Sequence, residues 1–137
     1  MSYTRIIQIE FNHCDPAGIV FYPRYFEMTN SVVENFFADE VGKSFAQMHM
    51  EGMHNGVPTV HIEADFIAPS RLGDKVAFTL VVRKLGGSSV TVEITGQLGA
   101  ELRLRAQLTL VWIDNMKAAR WPEPLRARLA AHLETAA

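Results

Sequence analysis

The side chains best suited to chemistry crowd into one stretch, HCDPAGIVFYPRYF, from His13 to Phe26. Asp15 stands out there, because it precedes Pro16 and Gly18 and is followed by apolar and aromatic residues. Asp-Pro is a common turn opener and aspartate a common helix cap, so one role open to it is structural. The other is chemical, as a nucleophile or a general base. His13 lies two residues earlier, and in an extended chain the two side chains share a side. It could tune the acid or touch a substrate, or be a structural imidazole on the rim. Cys14 then points the other way. A nucleophilic thiol needs a base and an electropositive setting, and this thiol points away from its neighbours. His49, His54 and His61 follow no common metal-ligand spacing, and the single cysteine lies elsewhere, so no metal is expected.

The elements that must hold this stretch can be read from periodicity. Residues 4–12 alternate as a strand with Ile7, Ile9 and Phe11 on one face. A turn follows at Asp15-Pro16-Ala17-Gly18. From Pro23 to Asp39 apolar residues recur at three and four, which predicts a long helix with Pro23 in its first turn and Gly42 as its stop. Phe26, Met28, Val32, Val33, Phe36 and Phe37 cover more than a narrow stripe, so burial on several sides is expected. Residues 44–51 suggest a short second helix. Strands are predicted at 57–69, 75–85, 88–99 and 101–114, and a closing helix at 123–133. In the last strand Leu102 to Trp112 face one way, while Arg103, Arg105, Gln107 and Thr109 form a solvated face. Short turns make the last three strands antiparallel neighbours. The expected class is α+β, a curved antiparallel sheet wrapped around one long helix.

The chain has 137 residues, 48% of them hydrophobic, which predicts one domain over 1–137 with an ordinary core. The formal charge of -2 gives no bulk reason to expect nucleic acid or a membrane surface. One cysteine, no signal-like N-terminus and no long apolar window make a cytoplasmic protein the expectation.

The motif Asp15-Pro16-Ala17-Gly18-Ile19-Val20, then Tyr22-Pro23 and Tyr25-Phe26, resembles the hotdog-fold acyl-CoA thioesterases, within them the 4-hydroxybenzoyl-CoA thioesterase family. Gly56-Val57-Pro58, Phe66-Ile67-Ala68-Pro69 and Leu72-Gly73-Asp74 extend the resemblance through most of the chain. It implies the hotdog fold, with Asp15 as the catalytic carboxylate and the following helix aimed at the thioester carbonyl. It also implies a homodimer whose sheets join edge to edge, often doubled to a homotetramer, with active sites at the interface. A thioester suits a lone carboxylate, because its carbonyl is electrophilic and its thiolate leaves readily.

Read in that light, N–H groups at Ala17, Gly18 and Ile19 would polarise the thioester oxygen, with Gly18 admitting the ligand close to the backbone. The Tyr22 hydroxyl would orient the acyl group. Phe21, Tyr25 and Phe26 would wall a pocket for an aromatic or medium-length acyl chain. Glu63 and Asp65 share one side of a strand that runs past the site in relatives, or form a solvated face. Coenzyme A, here part of the substrate and not a cofactor, needs cations for its phosphates. The candidates are Arg83 and Lys84, Ser88 and Ser89 across the Gly86-Gly87 turn, and Lys117 and Arg120. Two other readings use the same scaffold. A dehydratase or hydratase would pair His13 with Asp15, and an acyl-CoA binding protein would do no chemistry.

Overall fold

The computed structural model describes residues 1–50 and 54–134. Five strands, β1 (Tyr3–Gln8), β2 (Thr59–Phe66), β3 (Lys75–Leu85), β4 (Ser89–Leu98) and β5 (Glu101–Val111), form one sheet in the order β1-β3-β4-β5-β2. Every pairing is antiparallel, including the predicted β3-β4-β5 meander. Across one face runs α1 (Arg24–Phe36), with Pro23 at its N-cap. It buries Tyr25, Met28, Thr29, Val32, Val33 and Phe36, the residues at three-and-four spacing. One wider turn, Phe37–Val41, carries Phe37 and Val41 into the same core before Gly42, at φ 94°, ends the run.

Gly96 lies in β4 where its neighbours pack closest. A Cβ there would lie 2.5 Å from Leu104 Cδ2 and 3.3 Å from Phe78 and Val76, so glycine lets these side chains pack directly on the strand. The register shifts immediately after it, with Gly96 opposite Leu104 and Gln97 opposite Leu102, leaving Arg103 as the extra residue of a bulge.

Several boundaries differ from the sequence reading. The first strand stops at Gln8, and a 3-10 turn over Phe11–His13 throws Phe11 outward, where it is 84% exposed. The last predicted strand ends at Val111. Beyond it β6 (Ile113–Asp114) and β7 (Lys117–Ala118) form a separate hairpin whose two turn residues, Asn115 and Met116, both have positive φ. The second helix, α2, spans Phe45–Met50, and Glu51 of its predicted range lies outside the described residues. The closing helix α3 spans Glu123–Ala131 and is preceded by Trp121, which packs on Trp112 and Phe37.

The long helix is buried on one side only. Phe26 remains 38% exposed, near the edge strand β2, itself exposed along nearly its whole length. Ile62 and Phe66, on that strand's helix-facing side, remain 37% and 44% exposed, and Val60, the extra residue where the register shifts between Thr59 and His61, is 60% exposed.

Candidate functional site

Asp15 occupies a closed turn. Its N–H donates to the Ile19 carbonyl (3.1 Å), its carbonyl accepts from Gly18 N–H (2.9 Å), and its carboxylate Oδ1 accepts from Ala17 N–H (2.9 Å). Gly18 has φ +82° with no atom within 4 Å of a built Cβ, so glycine is needed for the backbone angle. The residue as a whole is half-buried. One oxygen is anchored by the turn, and Oδ2 has no hydrogen-bond partner among the described residues. Such a carboxylate is held in place yet keeps a lone pair available for attack or proton abstraction.

The turn supplies fewer donors than the sequence suggested. Ala17 and Gly18 donate to Asp15 itself, and Val20 donates to the Ser70 carbonyl. At the start of α1 the N–H groups of Arg24, Tyr25 and Phe26 close 3-10 bonds to Phe21, Tyr22 and Pro23. Among the described residues the N–H groups of Ile19 and Tyr22 are left without an acceptor. The useful group of Tyr22 is therefore its backbone amide as well as its hydroxyl, a feature that side-chain reading overlooked.

Beside this turn opens a cleft of about 460 Å³, in the range of small-ligand sites. It begins at Ile19 and Val20, passes Tyr22 and Tyr25 of α1, and ends against Phe66 to Pro69. Phe66 is its hub, with ring centroids 5.6 Å from Tyr22, 5.7 Å from Tyr25 and 6.1 Å from Phe26. The Tyr25 ring lines the cleft, but its hydroxyl is sealed away from solvent with no hydrogen bond, and burial pushes its pKa up. Phe21 is outside the cleft. The bridge between Cys14 and Val20 makes this segment extended, so Val20 turns inward and Phe21 outward, edge-on to Tyr22.

His13 and Glu63 are not brought to Asp15. The His13 ring turns back, and its Nδ1 accepts from Glu10 N–H (2.8 Å). Glu63 sits on the exposed side of β2, where its carboxylate meets His61 Nε2 at 3.3 Å. The face opposite, with Ala64 and Phe66, is the one α1 covers. Cys14 Sγ lies 3.7 Å from the Glu10 carbonyl and packs on the core.

The proposed phosphate cations lie at the other end of the sheet. From Asp74, beside the Asp15 turn, to Lys84 is ten residues of strand, roughly 30 Å. Arg83 is committed to Glu93 (3.2 Å) and to the Glu134 carbonyl (3.0 Å). The Ser88 and Ser89 carbonyls accept from Trp112 and Gly86 N–H, while Lys84, Lys117 and Arg120 are exposed.

Arg103 overturns the expected solvated face of β5. As the bulge residue it turns toward the turn that precedes β3, and its guanidinium meets Asp74 at 2.9 Å. Asp74 is held below the usual carboxylate range, first by the Arg71 N–H and then by Arg103. The signal was present in the sequence as an acidic residue in the Leu72-Gly73-Asp74 turn, but the bulge that aims Arg103 at it was not. A depressed pKa stabilises the fold above the ordinary value of 3.8 and loses that contribution as pH falls through the folded value. Asp74→Asn should therefore cost about 1–3 kcal/mol at pH 7, with a smaller gap to wild type below pH 3.8 than at pH 7 in urea melts. An equal gap at both pH values would contradict this.

The sequence profile of the Thioesterase superfamily matches residues 36–103. The 4-hydroxybenzoyl-CoA thioesterase of Pseudomonas sp. (strain CBS-3) is 29% identical over 83 residues, covering 61% of this chain and 59% of that protein. The 1,4-dihydroxy-2-naphthoyl-CoA hydrolase of Synechocystis sp. (strain ATCC 27184 / PCC 6803 / Kazusa) is 27% identical over 127 residues, covering 90% and 91%. A crystal structure of a 1,4-dihydroxy-2-naphthoyl-CoA thioesterase from Synechocystis superposes with a TM-score of 0.86 at 24% identity, over 95% of this chain and 96% of that one.

Proposed function

We propose that this chain, which belongs to the thioesterase superfamily and carries its hotdog fold, is an acyl-CoA thioesterase that converts acyl-S-CoA and water to a carboxylate and coenzyme A. The observation that carries this reading is Asp15, anchored through Oδ1 and open at Oδ2 beside an aromatic-walled cleft. Asp15 either attacks the carbonyl carbon, forming an anhydride that water opens, or takes a proton from water as it attacks. In both routes the C–S bond breaks and the thiolate leaves. The amides of Ile19 and Tyr22 are the donors available to the developing oxyanion. No cofactor is needed. The occupied His13 ring weakens the dehydratase reading, which requires it to work with Asp15.

A homodimer belongs to the same proposal, and a homotetramer would pair two of them. β2 is an edge strand with exposed apolar residues at Val60, Ile62 and Phe66, a feature that invites strand pairing. Phe66 lies at the Asp15 end of the sheet and Thr59 at the hairpin end, opposite Leu110. Antiparallel pairing of two β2 strands about a two-fold axis brings the partner's hairpin end alongside this chain's Asp15. Lys84, Lys117 and Arg120 of each subunit then serve the other's site, which offsets their separation within one protomer. No helix among the described residues is long and apolar enough to cross a membrane, and the lone cysteine suits a reducing cytoplasm.

The test is thiol release from benzoyl-, 4-hydroxybenzoyl-, acetyl- and hexanoyl-CoA. The aromatic cleft should favour the two aryl thioesters by about 10-fold or more in kcat/KM over hexanoyl-CoA, the discrimination that an apolar pocket supplies. Release from none of the four, with measurable binding, would leave the binding-protein reading in its place.

A further inference from the structure

Arg103 plays no part in the hydrolytic step, yet it grips the segment that holds the site. Its side chain is only 10% exposed. Its Nη1 donates toward the Pro69 carbonyl (3.0 Å), Ser70 Oγ (3.1 Å) and Asp74 Oδ2 (2.9 Å). Its own carbonyl accepts from Ile67 N–H (2.8 Å) and Ala68 N–H (3.1 Å). One residue thus fixes 67–74 through both backbone and side chain.

That segment in turn fixes the Asp15 turn from two sides. After the turn, Val20 N–H donates to the carbonyl of fully buried Ser70 (2.9 Å), and Ile19 is bridged to Arg71. Before it, Ile9 N–H donates to the Asp74 carbonyl (2.7 Å) and Gly73 N–H to the Ile9 carbonyl (2.8 Å). Ile67, Ala68 and Pro69 are also a wall of the cleft. We propose that Arg103 is a positioning residue, which locks the Asp15 carboxylate in register with the acyl cleft through Ser70 and Asp74. The clamp stands on this geometry; its effect on turnover rests on the thioesterase reading. Lysine would be a partial substitute, since a single ammonium cannot hold this cluster and also meet Glu101, which lies 2.6 Å from Arg103 Nε.

Amide hydrogen exchange and steady-state kinetics of Arg103→Met, Arg103→Lys and Asp74→Asn test it. In Arg103→Met the Val20 amide should exchange at least about 10-fold faster, with Val92 and Ile94 of β4 within about two-fold of wild type. kcat on the best thioester should fall about 10- to 100-fold while KM stays within about three-fold, as misplacement of a reacting group predicts. Arg103→Lys should fall between, and carries the comparison if Arg103→Met does not fold. Unchanged Val20 exchange would overturn the clamp. Faster Val20 exchange with unchanged kcat, or a rise in KM alone, would overturn the positioning role. If wild type releases thiol from no CoA thioester, the hydrolytic reading fails, while the Val20 comparison still decides the clamp.

Discussion

Asp15→Asn should fold as wild type does and lose at least about 100-fold in kcat for thioester hydrolysis, the scale of a lost nucleophile or general base. The amide is a clean probe because of how the turn is built. Its carbonyl oxygen can still accept the Ala17 N–H that Oδ1 accepts now, so the closed turn and its Gly18 corner survive. What disappears is the charge and the free lone pair at the second oxygen. Thermal melts should overlay within a few degrees, while thiol release falls in both steady-state and single-turnover assays. Full activity in this variant would remove Asp15 from the chemistry and leave it a turn residue. Incorporation of label from heavy-oxygen water into Asp15 after a single turnover would select the anhydride route over direct water attack.

The turn around Asp15 was legible because its reasons are local. Asp-Pro opens it, glycine closes it at positive φ, and Pro23 starts a helix whose buried residues recur at three and four. The antiparallel meander was legible too, since alternation and short turns leave β3, β4 and β5 few alternatives. What escaped reading depends on contacts distant in sequence. Arg103 follows the alternation of its strand on paper, yet a bulge opposite Gly96 redirects it into an ion pair with Asp74. His13 has the spacing to meet Asp15, yet a 3-10 turn gives its ring to Glu10 instead. Phe26 reads as core, but the surface that would cover it is absent from its own sheet.

That uncovered surface carries the second large effect. Replacing Val60 and Ile62 together by aspartate should give a folded species of one chain's 15.3 kDa in sedimentation at micromolar concentration, where wild type sediments as a dimer or larger. Val60 is 60% exposed and Ile62 37%, so neither charge is forced deep into the protomer's own core. Between two copies the same charges would be desolvated and would face their symmetry mates, which repels pairing. If the proposed dimer completes the site, activity should fall by at least about 100-fold, because each cleft would then lack its partner's cations. The loss should be chiefly in kcat/KM, since the groups removed are those proposed to bind coenzyme A and the Asp15 turn stays intact. A wild type that is monomeric at these concentrations, or a monomeric variant with full kcat/KM, would show that the site is complete within one chain. In that case the ten strand residues from Asp74, beside the Asp15 turn, to Lys84, roughly 30 Å, would lie between the turn and that cation within one protomer, and the cations at the hairpin end would take no part in phosphate binding. The oligomer and the phosphate contacts therefore stand or fall together.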